Sequence, residues 1–252
     1  MNRKMPVYYE CSMTKLQHIL AYVVFSILLS IVAYLFYHLV FISLIVGFAA
    51  GIYAEKVYAA STVEKRLKIL RLQFKDFLAS MSVAVRAGNV EIQAVRSALE
   101  DLKLSYNEKA DIVKEVENII TQYDGGGIEL KVLFEDLASR SNLEDIRSFA
   151  TIYGVIEGKS DRFGDILEQT NSIIADKIEI EQEIETTITS AKSETNTMII
   201  MPIIIVVAMS VMGSGLTSKL FEEPVGHAAA TIALIIFGLS YALAVKSSKI
   251  DV

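Results

Sequence analysis

Residues 165–185 carry the densest group of reactive side chains, because seven carboxylates follow one another there with Lys177 as the only cation. These carboxylates are Asp165, Glu168, Asp176, Glu179, Glu181, Glu183 and Glu185. Clustered carboxylates can hold a divalent cation, but such a site needs a turn that gathers oxygen ligands around the ion. No turn signal interrupts this stretch. The pattern therefore favours a solvated acidic face, or a docking surface for a basic partner, over a cation site.

A glycine cluster, Asp124-Gly-Gly-Gly127, raises the possibility of a loop that cradles phosphate. A nucleotide-binding loop of that kind follows a β-strand and continues into Gly-Lys-Ser or Gly-Lys-Thr. This segment has neither feature. We interpret it as a turn between two helices.

Cysteine and histidine are too sparse to build a reactive centre. The single cysteine, Cys11, excludes an intramolecular disulfide framework and a cysteine-based zinc site. The three histidines lie far apart at positions 18, 38 and 227, and no Ser–His pairing, His-Glu-x-x-His motif or aspartate pair appears. We predict a protein that is not an enzyme and that has no catalytic residues, cofactor or metal.

Charged residues are concentrated in the middle of the chain. Residues 55–196 contain 18 of the 24 lysines and arginines and 26 of the 30 aspartates and glutamates, whereas hydrophobic residues make up 52% of the whole chain. The acidic excess of this polar block argues against nucleic acid as a partner. Long uncharged runs lie on both sides of it. This division is typical of a membrane protein with one water-exposed domain.

The uncharged runs predict four transmembrane helices in two hairpins. Residues 19–54 favour two spans with a turn near His38, because one helix of that length would be longer than the roughly 30 Å core of a bilayer. Residues 197–216 and 228–245 predict the third and fourth spans, with an external loop at 217–227. A cleavable signal peptide is the alternative at the N-terminus, but the apolar run is longer than such peptides carry.

Lysine and arginine counts predict the orientation of these spans. Three basic residues lie in the N-terminal tail, residues 1–18, and two in the C-terminal tail, residues 246–252, whereas one lies near the two hairpin tips. Basic segments favour the cytoplasmic side. Both tails and the domain at 55–196 are therefore predicted to be cytosolic.

Apolar residues recur at helical spacing through the polar block and predict an antiparallel helical bundle. The first stripe consists of Leu67, Leu70, Phe74, Phe77, Met81 and Ala84. We expect this helix to end at Gly88. Further helices are predicted over 91–104, from a capping box at 105–108 to about 123, and over 129–139. Two more are predicted, one that Asn142 or Ser141 caps and that runs to 156, and one from 165 onwards.

Two other spacings predict close helix contacts. Gly47-x-x-x-Gly51 leaves room for a neighbouring helix to approach closely, although small residues also occur in apolar helices by chance. In the last helix, Ile166, Ile173 and Ile180 lie seven residues apart and predict an apolar face, with the carboxylates on the outer face.

Four stretches in this order resemble the type II secretion system protein F family, and more closely the platform proteins of tight-adherence (Tad) pili of the Tad B or Tad C kind. They are residues 72–78 with 86–88, 137–146, 174–180 with 183–186, and 191–194 leading to Met201-Pro202. Two positions depart from the family pattern. Adjacent glycines are missing from the bend at 158–164, and Gly88-Asn-Val replaces the usual Gly-Tyr-Ser.

The resemblance implies an assembly platform in a bacterial or archaeal cytoplasmic membrane that couples an assembly ATPase to pilin extraction and polymerisation. The implied partners are that ATPase, pilin subunits, membrane lipid, and a sister platform subunit or a second copy of the chain. A small multi-pass transporter subunit, or a membrane adaptor with a cytosolic helical docking domain, is the alternative. The candidate partner-contact residues are Lys68, Arg71, Lys75, Arg140, Glu144, Asp145, Asp165, Glu168, Asp176, Glu179 and Glu183.

Overall fold

The described part of the chain is built from helices alone, in agreement with the all-α class. The computed structural model describes residues 5–9, 14–37, 40–156 and 163–211, and scattered positions between 226 and 243. The helices are α1 (Lys15–Tyr37), α2 (Val40–Arg86), α3 (Glu91–Ser105), α4 (Asp111–Gly126), α5 (Leu130–Ser141), α6 (Glu144–Ile156) and α7 (Phe163–Val211).

The four-span membrane architecture is not supported. A membrane span needs about 20 consecutive, predominantly apolar residues. Within the residues that the structure describes, no helix meets that requirement of length and apolar character. The prediction of transmembrane hairpins and of a location in a cytoplasmic membrane is therefore wrong. Residues 212–225 and 244–252, which include most of the predicted external loop and the C-terminal tail, lie outside the described residues.

The chain divides into two compact units. The first unit contains Met1–Ser12 and Ala60–Ile180, and the second contains Met13–Ala59 and Glu181–Val252. The polar block at 55–196 thus falls mainly in the first unit, and α2 and α7 each contribute residues to both units.

An aromatic cluster forms the centre of the first unit. Phe134 packs edge-on against Phe149 and Tyr153, with both pairs of ring centroids 5.0 Å apart. Phe74 lies 5.5 Å from Phe149, and Tyr153 lies 5.5 Å from Phe163. These contacts join α2, α5, α6 and α7 around one core, where edge-to-face aromatic pairs add to the effect of burial.

The predicted stripe of α2 is confirmed. Leu70, Phe74, Phe77, Met81 and Ala84 are buried, and Leu67 packs against the same core at its edge. This face holds α2 against the rest of the first unit. Because the stripe ends at Ala84, burial of its apolar side chains does not stabilise the helix beyond Arg86.

Left-handed residues end several helices. Gly88 has φ +94° just after α2, as its predicted capping role requires, and Gly127 has φ +61° after α4. Of the two residues expected to cap the start of α6, Asn142 or Ser141, Asn142 instead ends α5 with φ +53°. The capping box predicted at 105–108 is also wrong, because Ser105 ends α3 and α4 begins only at Asp111.

The predicted apolar face of α7 is wrong by one residue. The side chains that reach the core are Phe163, Leu167, Thr170 and Ile174, whereas Ile173 and Ile180 are exposed. A seven-residue repeat identifies a stripe but does not say which of two adjacent stripes faces the core. The stripe at 163, 167, 170 and 174, in which only Thr170 is polar, faces the core because Phe163 contacts the aromatic cluster.

In the second unit α1 and α2 form a closely packed antiparallel pair. A Cβ atom added at Gly47 would lie 1.9 Å from the Ser30 hydroxyl oxygen, and one added at Gly51 would lie 2.2 Å from that of Ser26. The close approach predicted from Gly47-x-x-x-Gly51 is therefore confirmed. The predicted turn near His38 and residues 158–162 of the predicted bend at 158–164 lie outside the described residues, whereas Phe163 and Gly164 already belong to α7.

Candidate docking surface

The first part of α7 presents carboxylates to solvent. Asp165, Glu168, Asp176, Glu179 and Glu183 are all exposed on this helix. Glu168 forms an ion pair, since Arg86 Nη1 lies 2.8 Å from Glu168 Oε2. Asp165, Asp176 and Glu179 give this face a negative charge.

Lys177, the only cation of this stretch, does not balance the acidic face. Its Nζ atom lies 3.3 Å from Asp145 Oδ1 on α6, so its charge is directed towards the neighbouring helix. Together with the contact between Tyr153 and Phe163, this ion pair shows that α6 and α7 lie antiparallel and side by side. The acidic face is therefore on the side of α7 that α6 leaves uncovered.

The predicted basic surface on α2 is only partly exposed. Lys68 is exposed, whereas Lys75 is half-buried, with its Nζ atom 3.2 Å from Asp76 Oδ1. Arg71 is largely buried and forms an ion pair with Asp145 of α6. Arg71 and Asp145 therefore connect two helices of the first unit, and Lys68 is the candidate on α2 that a partner reaches most easily.

Arg140 and Glu144 also differ in their exposure to solvent. Glu144 is exposed in the first turn of α6. Arg140 is largely buried, and its guanidinium donates hydrogen bonds to Glu115, at 2.5 and 2.7 Å, and to Asp136, at 2.8 Å. The hydrogen bonds to Glu115 and Asp136 therefore satisfy the guanidinium of Arg140 inside the protein.

The contacts of Arg140 belong to a buried polar network that was not predicted from the sequence. Glu115 is fully buried, and the hydroxyl of Tyr8 donates a hydrogen bond to it at 2.7 Å. Arg66 lies 4.7 Å above the Tyr8 ring and donates two hydrogen bonds to Asp111, at 2.7 and 2.9 Å. This network ties the N-terminal segment to α2, α4 and α5.

Burial and pairing shift the pKa values within this network. Burial raises the pKa of the Tyr8 hydroxyl well above its usual range, and the negative charge of Glu115 raises it further. Burial lowers the pKa of Arg140, but the hydrogen bonds and charges of Glu115 and Asp136 more than offset that effect. The neutral phenol and the charged guanidinium are thus both fixed over the physiological pH range.

Sequence periodicity offered only one signal for this network. Glu115 lies between Ile112, Val113, Val116 and Ile119 on the apolar face of α4, where a carboxylate requires a partner. Tyr8 lies in a short segment without helical pattern. Its partners more than 100 positions away can be found only in the folded structure.

A cleft of about 280 Å³ lies between α1 and α2 in the second unit. The described residues of its wall are three serines and apolar side chains, with Tyr34 as the one ionisable residue among them. These described residues include no pair of groups for acid–base chemistry. Among the described residues, no group of three or more histidine, cysteine, aspartate or glutamate side chains converges as metal ligands would.

Comparison with known proteins adds no relative to this picture. The chain matches no family model, no curated protein and no solved structure.

Proposed function

We propose that this chain is a non-catalytic assembly scaffold, and that its helical unit docks an ATPase of the secretion or pilus-assembly class through the acidic face of α7. The resemblance of four sequence stretches to secretion and pilus platform proteins suggests the partner class. The uncovered carboxylates of α7 support the location. Pilin subunits and a sister subunit or second copy are the further partners that such a role requires.

The observation that carries the proposal is a contrast between two sets of charges. The largely buried charged residues of the first unit pair with one another, as Arg140 does with Glu115 and Arg71 with Asp145. On α7, Asp176 and Glu179 are exposed and form no ion pair within the described residues. Charges of the first kind stabilise the fold, whereas charges of the second kind are available to a partner.

The packing of the first unit suits mechanical coupling. Aromatic rings from four helices interdigitate in its centre, and closely packed interiors are nearly incompressible. Movement of an ATPase bound at α7 would therefore be transmitted through the unit and not absorbed by it. No bond is made or broken by the scaffold in this scheme.

Capture of the ATPase by the immobilised full chain tests the proposal. We expect the triple variant Asp165→Lys, Asp176→Lys, Glu179→Lys to lose capture of the ATPase from the host's own pilus or secretion system. The matched control is Glu100→Lys, Glu108→Lys, Glu135→Lys, which makes the same change in net charge at exposed positions on other parts of the unit. Equal capture by both variants and the wild type would refute the docking surface.

A further inference from the structure

Two isoleucines on the outside of α7 have no structural role in the first unit. Ile173 is 59% exposed and Ile180 is 54% exposed, and each is larger and more apolar than a solvated helix face requires. Single exposed apolar residues are ordinary on protein surfaces. Two at a seven-residue spacing lie on the same side of a helix, two turns apart, and Ile166 extends the line by one more repeat at a half-buried position.

Carboxylates flank this isoleucine stripe, defined as Ile166, Ile173 and Ile180. Asp176 lies three residues after Ile173 and four before Ile180, so helical geometry places it within one turn of both exposed isoleucines, and Glu179 lies beyond it on the acidic face. Lys177, the only cation between residues 165 and 185, is paired with Asp145 of α6. The stripe is therefore an apolar seam with a negative border, the pattern that coiled-coil positions use to select a partner of opposite charge.

We propose that the isoleucine stripe of α7 binds a basic amphipathic helix in a partner protein, with the apolar side of that helix on Ile173 and Ile180 and its lysines or arginines beside Asp176 and Glu179. This inference rests on the proposed function, because it gives the chemical character of the ATPase segment that docks on α7. The proposed contact requires apolar residues at a heptad spacing in that ATPase segment. Binding by attraction between charges alone would not require them.

The same charges argue against the other occupants of an exposed helix face. A second copy of α7 would bring its own carboxylates against Asp176 and Glu179, and like charges facing each other across an interface are unfavourable. An anionic surface, such as nucleic acid, is repelled for the same reason. A basic helix satisfies both the apolar seam and its negative border.

The neighbouring helix α6 also carries exposed apolar residues. Ile152 and Val155 are 38% and 66% exposed, and α6 lies beside α7 through the contact between Tyr153 and Phe163. A helix that binds over a pair of helices buries more apolar area than one that binds a single helix.

The test measures binding of two synthetic peptides to the full chain by fluorescence anisotropy. Both peptides carry leucines at heptad spacing, one with lysines and one with glutamates at the flanking positions. We expect the lysine peptide to bind and the glutamate peptide to bind at least about tenfold more weakly. The double variant Ile173→Ser, Ile180→Ser should bind the lysine peptide about tenfold or more weakly than the wild type does, because the apolar seam is lost.

The matched controls are Val83→Ser on α2 and Leu104→Ser on α3, which are 65% and 87% exposed and lie outside the stripe. These controls should leave binding within about twofold of the wild type. A circular dichroism spectrum verifies that each variant is folded. Equal binding of the two peptides, or no effect of the isoleucine substitutions, would overturn the inference.

The isoleucine variant also separates this inference from the proposed function. If ATPase capture is lost on charge reversal but survives Ile173→Ser, Ile180→Ser, the docking proposal stands and the apolar seam is refuted. If the lysine peptide depends on the isoleucines but α7 charge reversal leaves ATPase capture intact, the seam stands and the proposed partner is refuted.

Discussion

The Arg140 guanidinium holds the fully buried Glu115 carboxylate with two hydrogen bonds, at 2.5 and 2.7 Å, across the contact between α5 and α4. Tyr8 binds both members of this pair. Its backbone N–H donates to the Arg140 carbonyl oxygen at 2.9 Å, and its hydroxyl donates to Glu115. One ion pair therefore joins two helices and the N-terminal segment.

Removing the arginine should destabilise the first unit strongly. In Arg140→Ala the Glu115 carboxylate stays buried without its cation, and loss of one partner from a buried pair costs about 3–5 kcal/mol. Chemical denaturation of the full chain, followed by circular dichroism, measures the change in the free energy of unfolding. Arg96→Ala is the control, because the Arg96–Asp124 pair is well exposed and is expected to contribute less than about 1 kcal/mol. Similar losses for the two variants would contradict a special role for the buried pair.

Alkaline pH should destabilise the protein through Tyr106. Burial and a hydrogen bond to Asp76 raise the pKa of this tyrosine to about 12, above its ordinary value of about 10. The folded state therefore holds the proton more tightly than the unfolded state, and this contribution is complete below pH ~10 and is lost between pH ~10 and ~12. Tyr106→Phe should make the fall in unfolding free energy over that range shallower. An identical pH profile in the variant would show that Tyr106 is not the group responsible.

The contact between α1 and α2 should tolerate no side chain at Gly51. A Cβ atom there would lie 2.2 Å from Ser26 Oγ, so Gly51→Ala is expected to destabilise the hairpin by about 1–3 kcal/mol. Adding Ser26→Ala should recover part of this loss, because the nearest remaining atoms lie 3.2 Å away. Thermal unfolding of the two single variants and the double variant measures the coupling. Additive effects of the two substitutions would rule out direct contact.

Ser26→Ala alone should not destabilise the protein. The buried Ser26 hydroxyl finds no hydrogen-bond partner among the described residues, and a buried polar group without a partner is unfavourable. A clear loss of thermal stability would mean that this hydroxyl contributes a contact that stabilises the fold.

Alanine substitutions of two glycines near the end of α4 should change the stability of the protein in opposite directions. Gly125 lies in the helix with open space around its Cα, so Gly125→Ala should stabilise the protein by about 0.5–1 kcal/mol. Gly127 has a left-handed backbone, so Gly127→Ala should destabilise it by about 1–2 kcal/mol. Chemical denaturation compares the two directly, and a gain in stability for Gly127→Ala would contradict the left-handed turn.

Local patterns predicted the helices well. The α2 stripe from Leu70 to Ala84, the cap at Gly88 and the start of α3 at Glu91 depend on residues close in the chain, where spacing and backbone preference decide the structure. The prediction of which face of α7 is buried was wrong because both Ile173 and Ile174 fit an apolar spacing. Contact with the distant aromatic cluster decides between them.

The charged candidates show the limit of sequence reasoning about a surface. Arg71 and Lys68 have the same charge and lie three residues apart, yet Arg71 pairs with Asp145 in a largely buried position and Lys68 is exposed. Only the position of α6 distinguishes them. The acidic residues of α7 were easier to predict as a surface, because so many carboxylates close together on one helix cannot all be buried with a partner.

Site-specific photocrosslinking tests the central claim most directly. A photoreactive benzoylphenylalanine replaces Asp176 on α7 in one variant and the exposed Glu135 on α5 in the other, and each full chain is irradiated with the assembly ATPase. We predict a covalent adduct with the ATPase from position 176 and none from position 135. Adducts of equal yield from both positions, or an adduct from position 135 alone, would contradict docking on α7.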